Sequence, residues 1–352
     1  MNGTNTRRWT GPTLDDVARE AGVSRATVSR VINSADTVSE NLVAIVQHAI
    51  TVVGYVPNRP ARQLVTRRSG VIALVPSIRP QSDTGDVPAS NHHLFKDPFF
   101  GRIADGVLGY LTPRRLHTLL VIADCDSMRD EAVNHLRQGI ADGALVVTTD
   151  SSDPLPARLV EAGLPAVFFA RPGPSVPADY VDLANQDGGR LAADRLLALG
   201  RRRVALIAGP MDLQASQARI GGFCDTMARH GVGYVPVVHG NFTQESGERA
   251  MRELLLRIED VDGVFAANDL MAVGAIHVLR ESGRRIPEDV AVIGFDDSSA
   301  AVAARPQLTT VRQPVEDMAA AMARLLLERL DSPRRQPQAV LFDPELIVRA
   351  SG

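Results

Sequence analysis

From Gly70 onward, short apolar runs alternate with longer amphipathic stretches, and this alternation constrains the fold more than any other feature of the chain. Strands are expected at Val71 to Val75, Thr118 to Ile122, Ala144 to Val147, Ala166 to Phe169, Val204 to Ala208, Gly263 to Ala266 and Val290 to Gly294. Helical patterns fill the intervals, as at Asp130 to Gly139, Gly188 to Leu199, Ala218 to His230 and Ser246 to Ile258. Apolar strands that alternate with helices belong to a parallel sheet covered on both faces. The series is too long for one compact sheet, so two successive doubly wound lobes with a cleft between them are expected. Ligands of such sheets bind outside the carboxyl ends of the strands. Asn268-Asp269 follows the strand ending at Ala266, and Asp296-Asp297 follows the strand ending at Gly294. Arg219 opens a helix after the Gly209-Pro210 loop, where it can point into a cleft and fork a hydroxyl pair or an anion. A carboxylate, an amide and an Arg at one cleft suit a polyhydroxylated ligand such as a sugar, and Phe99, Phe100 and Phe242 could stack on its apolar face.

The N-terminal segment has a different pattern. Thr13 to Asn33, TLDDVAREAGVSRATVSRVIN, places Leu14, Val17 and Ala18 on one face of a short helix, and Val23, Val28 and Val31 on the inner face of a second. Ala18 lets the two backbones approach, and Gly22 permits a turn that a side chain would disfavour. Ser24 is a good N-cap for the second helix, whose outward residues are Arg25, Ala26, Ser29 and Arg30. In helix-turn-helix motifs the start of the second helix enters the major groove, so Arg25 and Ala26 would face base edges. Ser39 can cap a third helix with the stripe Leu42, Ile45, Val46, Ala49 and Ile50, ending near Gly54. In the following YVPNRPARQL, Asn58 could cap one more short helix with Pro60 in its first turn. Leu64 beside Arg59 and Arg62 suits an apolar wedge in a minor groove with arginines on nearby phosphates.

With LDDVAREAGVSRATVSRVIN, VSE and GYVPNRPARQL in this order and spacing, the chain resembles the LacI family of transcriptional regulators, the family of the lactose and purine repressors. The resemblance extends through DPFF at 97 to 100, ALGRRRVALIAGP at 198 to 210, ARIGGF at 218 to 223, GVFAANDLMAVGA at 263 to 275, IPEDVAVIGFDD at 286 to 297 and LTTVRQP at 308 to 314. It implies a small all-α helix-turn-helix headpiece at 12 to 57, a hinge helix and linker at 58 to 69, and a two-lobed α/β body like a type I periplasmic binding protein at 70 to 352. One lobe would take about 70 to 180 and 312 to 340, the other about 181 to 311 and 341 to 352. DNA contacts would come from Thr13, Ser24, Arg25, Ala26, Thr27, Ser29, Arg30 and Asn33, and from the hinge residues Asn58, Arg59, Ala61, Arg62 and Leu64. Arg219, Asn268 and Asp296 match effector contacts of the family by position. Pro60 departs from the alanine or valine of many relatives and stiffens the start of the hinge. Where some sugar-binding relatives place an aspartate, this sequence has Ala170 followed by Arg171, which removes a hydroxyl acceptor and adds a cation. The implied function is a dimeric, cytoplasmic, nucleoid-associated repressor on a pseudo-palindromic operator, controlled by a small molecule in the interlobe cleft. A sugar is the preferred effector; a nucleobase, a nucleoside, a phosphorylated metabolite or a corepressor is the alternative.

Charge divides along the same line. Residues 1 to 68 hold nine Arg against five acidic residues, whereas the rest of the chain holds 29 basic against 36 acidic residues. A basic headpiece on an acidic body fits phosphate contact by one end. Cys125 and Cys224 form no metal or redox spacing, and a reducing compartment is expected. No apolar run reaches a membrane span, and MNGTNTRRWTG lacks the apolar stretch of a secretory signal. GxSxG, GxxxxGK[ST] and HExxH are all absent, so neither an enzyme nor a bound metal or cofactor is expected. The segment from Pro76 to Lys96, rich in Pro, Ser, Gly and Asp, reads as an exposed loop near the cleft mouth that could act as a lid, its His92-His93 pair solvated. The closing LIVRASG carries no leucine heptads, so a coiled-coil tetramer is not expected.

Overall fold

The computed structural model describes residues 11–33, 38–55, 68–77, 98–148, 152–173, 176–258 and 260–352. The chain divides into two compact units at Ser69 and Gly70.

The N-terminal unit contains α1 (Leu14–Ala21), α2 (Arg25–Asn33) and α3 (Glu40–Val53). Val17, Ala18, Val28, Val31, Val46, Ala49 and Tyr55 form its buried core, with Leu14 and Val23 packed at the margin. Both residues chosen from the apolar pattern for close helix crossing are therefore used: Ala18 is buried, and Gly22 ends α1 in the left-handed region at φ +64°. The Gly22 N–H bonds back to the Ala18 and Arg19 carbonyls, closing α1 with the orphan carbonyls satisfied. Two details of α3 differ from the pattern. Ser39 stands at its N-cap without a side-chain capping bond, and Ile45 is exposed, because the stripe that turns inward is carried by Val46 and Ala49.

The second unit is built on two six-stranded sheets. Sheet A holds β1 (Val71–Ser77), β2 (His117–Leu120), β3 (Gly143–Thr148), β4 (Ala166–Phe169), β5 (Asp179–Leu183) and β11 (Ala339–Phe342), in the order β11-β5-β4-β3-β1-β2. Sheet B holds β6 (Val204–Ala208), β7 (Val237–His239), β8 (Gly263–Ala266), β9 (Ala291–Asp296), β10 (Thr309–Arg312) and β12 (Glu345–Ile347), in the order β12-β10-β9-β8-β6-β7. Every pairing is parallel except that of β10 with β12. Residues of β6 and β8 are buried throughout, as strands covered on both faces must be.

Helices cover both faces of each sheet. One face of sheet A carries α4 (Pro98–Leu111) and α12 (Val315–Asp331), and one face of sheet B carries α7 (Asn185–Ala198) and α8 (Gln214–Arg229). Their buried residues, among them Ile103, Met318, Leu196 and Phe223, belong to one apolar core that runs through both lobes. The opposite face of sheet A is covered by α5 (Asp126–Arg137) and α6 (Leu155–Glu161). That of sheet B is covered by α9 (Gln244–Arg257), α10 (Asp269–Glu281) and the short α11 (Ser299–Ala303). Pro98 opens α4; a proline is tolerated in a first helical turn, where its missing N–H has no partner to lose.

The chain passes between the sheets three times, at Ala184, at Gln313-Pro314 and at Asp343-Pro344. The family resemblance puts the lobe boundaries at about 180, 311 and 340. In β5, DYVDL, two aspartates interrupt the apolar run. Asp179 is buried yet paired, accepting from Arg329 at 2.8 Å and Arg335 at 2.7 Å. A charge inside a parallel strand persists only with such compensation.

Candidate functional site

On the N-terminal unit, two capping arrangements orient the recognition surface. Thr13 and Asp16 form a reciprocal capping box: the Thr13 N–H and hydroxyl donate to Asp16 Oδ2 at 2.9 and 2.7 Å, and the Thr13 hydroxyl oxygen accepts from the Asp16 N–H. That bonding holds the Asp16 carboxyl below its usual range. Ser24 Oγ accepts from the Thr27 N–H at 3.1 Å and lies 2.8 Å from the Thr27 hydroxyl, so both hydroxyls serve the start of α2. Ser24, just before α2, and Arg25, Ala26 and Arg30 on it are exposed, while Thr27 and Ser29 are half-buried. Arg25 Nη1 approaches Asp15 Oδ2 at 3.7 Å across the α1–α2 turn. This pair is exposed on both sides, so it is worth at most a fraction of a kcal/mol. Asn33 ends α2. Asn58, Arg59, Ala61, Arg62 and Leu64 lie outside the described residues, as does nearly all of the segment from Pro76 to Lys96.

In the body, the carboxyl ends of β8 and β9 converge with the first two crossings on Arg219. Its guanidinium is buried, with the residue only 6% exposed. Nε donates to Asn185 Oδ1 at 2.9 Å, Nη1 to the Ala267 carbonyl at 2.7 Å and Nη2 to Gln313 Oε1 at 3.2 Å. Asp296 Oδ1 lies 3.8 Å from Nη1, and the Phe295 ring lies under the guanidinium, 3.5 Å from its centroid. Burial pulls the guanidinium below its ordinary value, while Asp296, Asp182 and Asp269 act in the opposite direction. A ligand hydroxyl reaching Arg219 therefore enters an existing network rather than meeting a bare cation.

Close backbone packing fixes this position. A Cβ on Gly222 would lie 1.9 Å from the Gln186 carbonyl oxygen, and one on Gly189 would lie 2.1 Å from that of Arg219. Only glycine at both positions lets α8, which carries Arg219, lie directly on α7, which begins with Asn185. Asn185 itself donates Nδ2 to the Leu183 carbonyl at 3.1 Å, which turns its oxygen toward Arg219.

The other expected effector residues divide into groups. Asp296, at the end of β9, has φ 105°, and its neighbour Asp297 has φ 53°. Asn268 is 3% exposed and caps α10, accepting from the Met271 N–H at 2.9 Å. Its Nδ2 donates to the Phe242 carbonyl at 2.9 Å, so it also holds the loop that presents Phe242, and the Phe242 ring occupies the space above Gly209. Phe99 is half-buried, edge-to-face with both Phe100 and Phe169 at centroid distances of 5.5 and 5.3 Å. The exposed Arg171 side chain lines a separate surface groove of about 390 Å³ with Tyr180 and Gln338, while its backbone N–H bonds Asp182 Oδ2 at 3.3 Å.

The sequence reading did not single out Asp182, Asn185, Gln313 or the paired role of Asp269. Burial raises the Asp182 carboxyl above its ordinary range, against the opposing N–H groups of Leu183 and Arg171 and the charge of Arg219. Asp269 is fully enclosed. It accepts from the Thr310 hydroxyl at 2.6 Å and the Ser298 N–H at 2.7 Å, joining α10 to β10 and to the start of α11. Burial pushes its carboxyl up to about 6 in spite of these bonds. Such an array of carboxylates, amides and one enclosed guanidinium can exchange hydrogen bonds with a neutral polyol. Among the described residues no cluster of His, Cys, Asp and Glu could hold a metal ion, and no helix is long and apolar enough to cross a membrane.

Known proteins share both units. Residues 13–58 match the model for bacterial regulatory proteins of the lacI family, and residues 193–352 match that for a periplasmic binding protein-like domain. The HTH-type transcriptional regulator CelR of Thermobifida fusca is 44% identical over 345 residues, covering 97% of this chain and 98% of the relative. The structure of a CelR–cellobiose complex has a TM-score of 0.74 at 43% identity, covering 97% of this chain and all of that one. The lac repressor dimer bound to operator and an anti-inducer shares the fold at a TM-score of 0.82 and 24% identity, covering 97% and 99% of the two chains. From the headpiece through the two-sheet body, the chain belongs to the LacI family of bacterial transcriptional regulators.

Proposed function

We propose that the protein represses transcription as a homodimer, reading a pseudo-palindromic operator with α2 and releasing or tightening on it when a neutral sugar enters the cleft around Arg219. A single headpiece presents one recognition helix with three exposed residues, Arg25, Ala26 and Arg30, in its first two turns. Such a helix reads only a few base pairs, and a second copy supplies the remaining sequence information. Arg25, Ala26, Ser29 and Arg30 choose the operator, and Thr13, Ser24, Thr27 and Asn33 set the docking of the motif. Asn58, Arg59, Ala61, Arg62 and Leu64 form the hinge contact in the minor groove.

The observation that carries the choice of effector is how fully Arg219 is already engaged. Its guanidinium is bound by the Asn185 and Gln313 side-chain oxygens, the Ala267 carbonyl and, at 3.8 Å, Asp296, while Asp297 is paired with Arg349. A cation so matched favours neutral hydroxyls, which exchange hydrogen bonds with these amides and carboxylates, over a phosphate ester. Phe99, Phe100 and Phe242 supply apolar surface for a pyranose face. The likeness to CelR, solved with cellobiose, makes a glucose disaccharide the first effector to test. Differential affinity for the two lobe arrangements then sets the operator response, and a coupling of about 1 to 3 kcal/mol suffices for a useful switch. Calorimetry on the full chain with cellobiose, ribose, guanine, hypoxanthine and glucose 6-phosphate tests this. Saturable heat with cellobiose is expected; binding of a purine or the phosphate ester, with none by the neutral sugars, overturns it.

A further inference from the structure

Asp296 is held from two directions. Arg219 approaches its carboxylate from the sheet B lobe, and Arg102, on α4 of the sheet A lobe, donates Nη1 to its backbone carbonyl at 2.8 Å. The same two arginines divide Gln313 in the same way. Arg102 Nη2 donates to its backbone carbonyl at 3.0 Å, and Arg219 Nη2 donates to its side-chain oxygen. Gln313 is the second crossing itself, between β10 and α12. Arg102 is fixed in turn by a bidentate fork from Glu316 on α12, with Nε to Oε1 at 2.6 Å and Nη2 to Oε2 at 2.8 Å. That hydrogen bonding holds the Glu316 carboxyl below its usual range. The residues at the end of β9 occupy positive φ, a conformation that non-glycine residues keep only where their surroundings impose it.

We propose that Arg102 is a positioning residue for the effector site. It holds the Asp296 backbone and the crossing residue Gln313 in the arrangement that presents the Asp296 carboxylate and the Gln313 amide to Arg219. Effector affinity in one lobe thereby depends on a side chain of the other, and on the lobes being close enough for Arg102 to reach both carbonyls. The inference rests on the reading of this cleft as the effector site.

Two measurements on the full chain test it, with Arg102→Gln and the exchanged pair Arg102→Glu/Glu316→Arg. The exchanged pair keeps an ion pair between α4 and α12 but removes the donor to both carbonyls. Hydrogen exchange without ligand is followed in peptides covering residues 294–300 and 310–316. Both variants are expected to exchange at least tenfold faster there than wild type, with 204–208 unchanged as an internal control for folding. Cellobiose titration should then show at least tenfold weaker binding in both. If the exchanged pair restores wild-type exchange or cellobiose affinity, Arg102 serves only the α4–α12 contact and the proposal is overturned. If wild type itself does not bind cellobiose, the effector reading fails, while unchanged exchange at 294–300 and 310–316 would separately refute the positioning role.

Discussion

Replacing Gly222 with alanine tests whether close packing of α7 and α8 builds the effector site. The added Cβ would lie 1.9 Å from the Gln186 carbonyl oxygen and 2.8 Å from its carbon, where an ordinary contact needs more than 3 Å. Backbone cannot swing aside as a flexible side chain does, so the helices must separate by about 1 Å along this line. Overpacking of this kind costs about 3 kcal/mol, the upper part of its usual range. The unit from Gly70 to Gly352 unfolds with an entropy near 2.1 cal/mol/K per residue, or about 0.6 kcal/mol/K in all, so the melting temperature should fall by about 5 °C. Gly221 is the control: it stands in the same helix, and a Cβ there meets nothing within 4 Å. Gly221→Ala should stabilise by up to about 1 kcal/mol through helix propensity. Separation of α7 from α8 also pulls Asn185 away from Arg219, so cellobiose affinity should fall at least tenfold in Gly222→Ala and stay unchanged in Gly221→Ala. Calorimetric melting and titration of both variants decide the matter. Equal melting shifts in the two, or full affinity in Gly222→Ala, would refute the packing argument.

Other outcomes follow from the same contacts. Gly22→Ala places a side chain at φ +64° in otherwise open space, so operator affinity should drop through a headpiece destabilised by about 1 kcal/mol, with the body's melting transition unmoved; a shift of the body transition would count against it. The Asp269 carboxyl has its folded-state value raised from 3.8 to about 6, so its contribution to stability is complete below about pH 4 and is lost as pH rises through 6. The amount is on the order of 3 kcal/mol, and Asp269→Asn lacks this dependence, so chemical denaturation should show the variant gaining on wild type between pH 4 and 7.5; a constant difference across that range would contradict the assignment. Arg25→Ala should alter which operator bases are preferred, whereas Arg62→Ala should weaken all sequences and flatten the salt dependence. Identical behaviour of the two in binding titrations against a panel of operator variants would rule that division out.

Strands with unbroken apolar runs, such as β3, β6 and β8, were legible because a parallel strand between two helical layers needs no polar position. β5 was not, since its aspartates conceal the strand until Arg329 and Arg335 are seen to compensate Asp179. The short β10, β11 and β12 escape for a related reason: each is defined by its pairing across a crossing rather than by its own pattern. Within the cleft, Asp296 could be located because it lies at a strand end; Arg219 was found too, although it sits in the second turn of α8, which begins at Gln214, rather than opening the helix. Asn185, Gln313 and Arg102 could not be located, because their roles exist only through partners far away in sequence. Arg219 and Gln313 are 94 residues apart, and Arg102 and Asp296 are 194 apart. Asn268 shows the limit of positional reading. The residue lies where expected, yet its amide caps α10 and ties down Phe242, so it shapes the pocket wall as well as facing it.

On the proposed function, a sugar bound in the body controls DNA reading by the headpiece. The most direct test is selection of DNA by the purified full-length protein from a random pool, repeated with and without saturating cellobiose and read by sequencing. Enrichment of one pseudo-palindromic site is expected, with a recovery that changes at least tenfold when the sugar is added. Equal recovery in both arms despite calorimetric binding of the sugar, or no palindromic site in either, would contradict it.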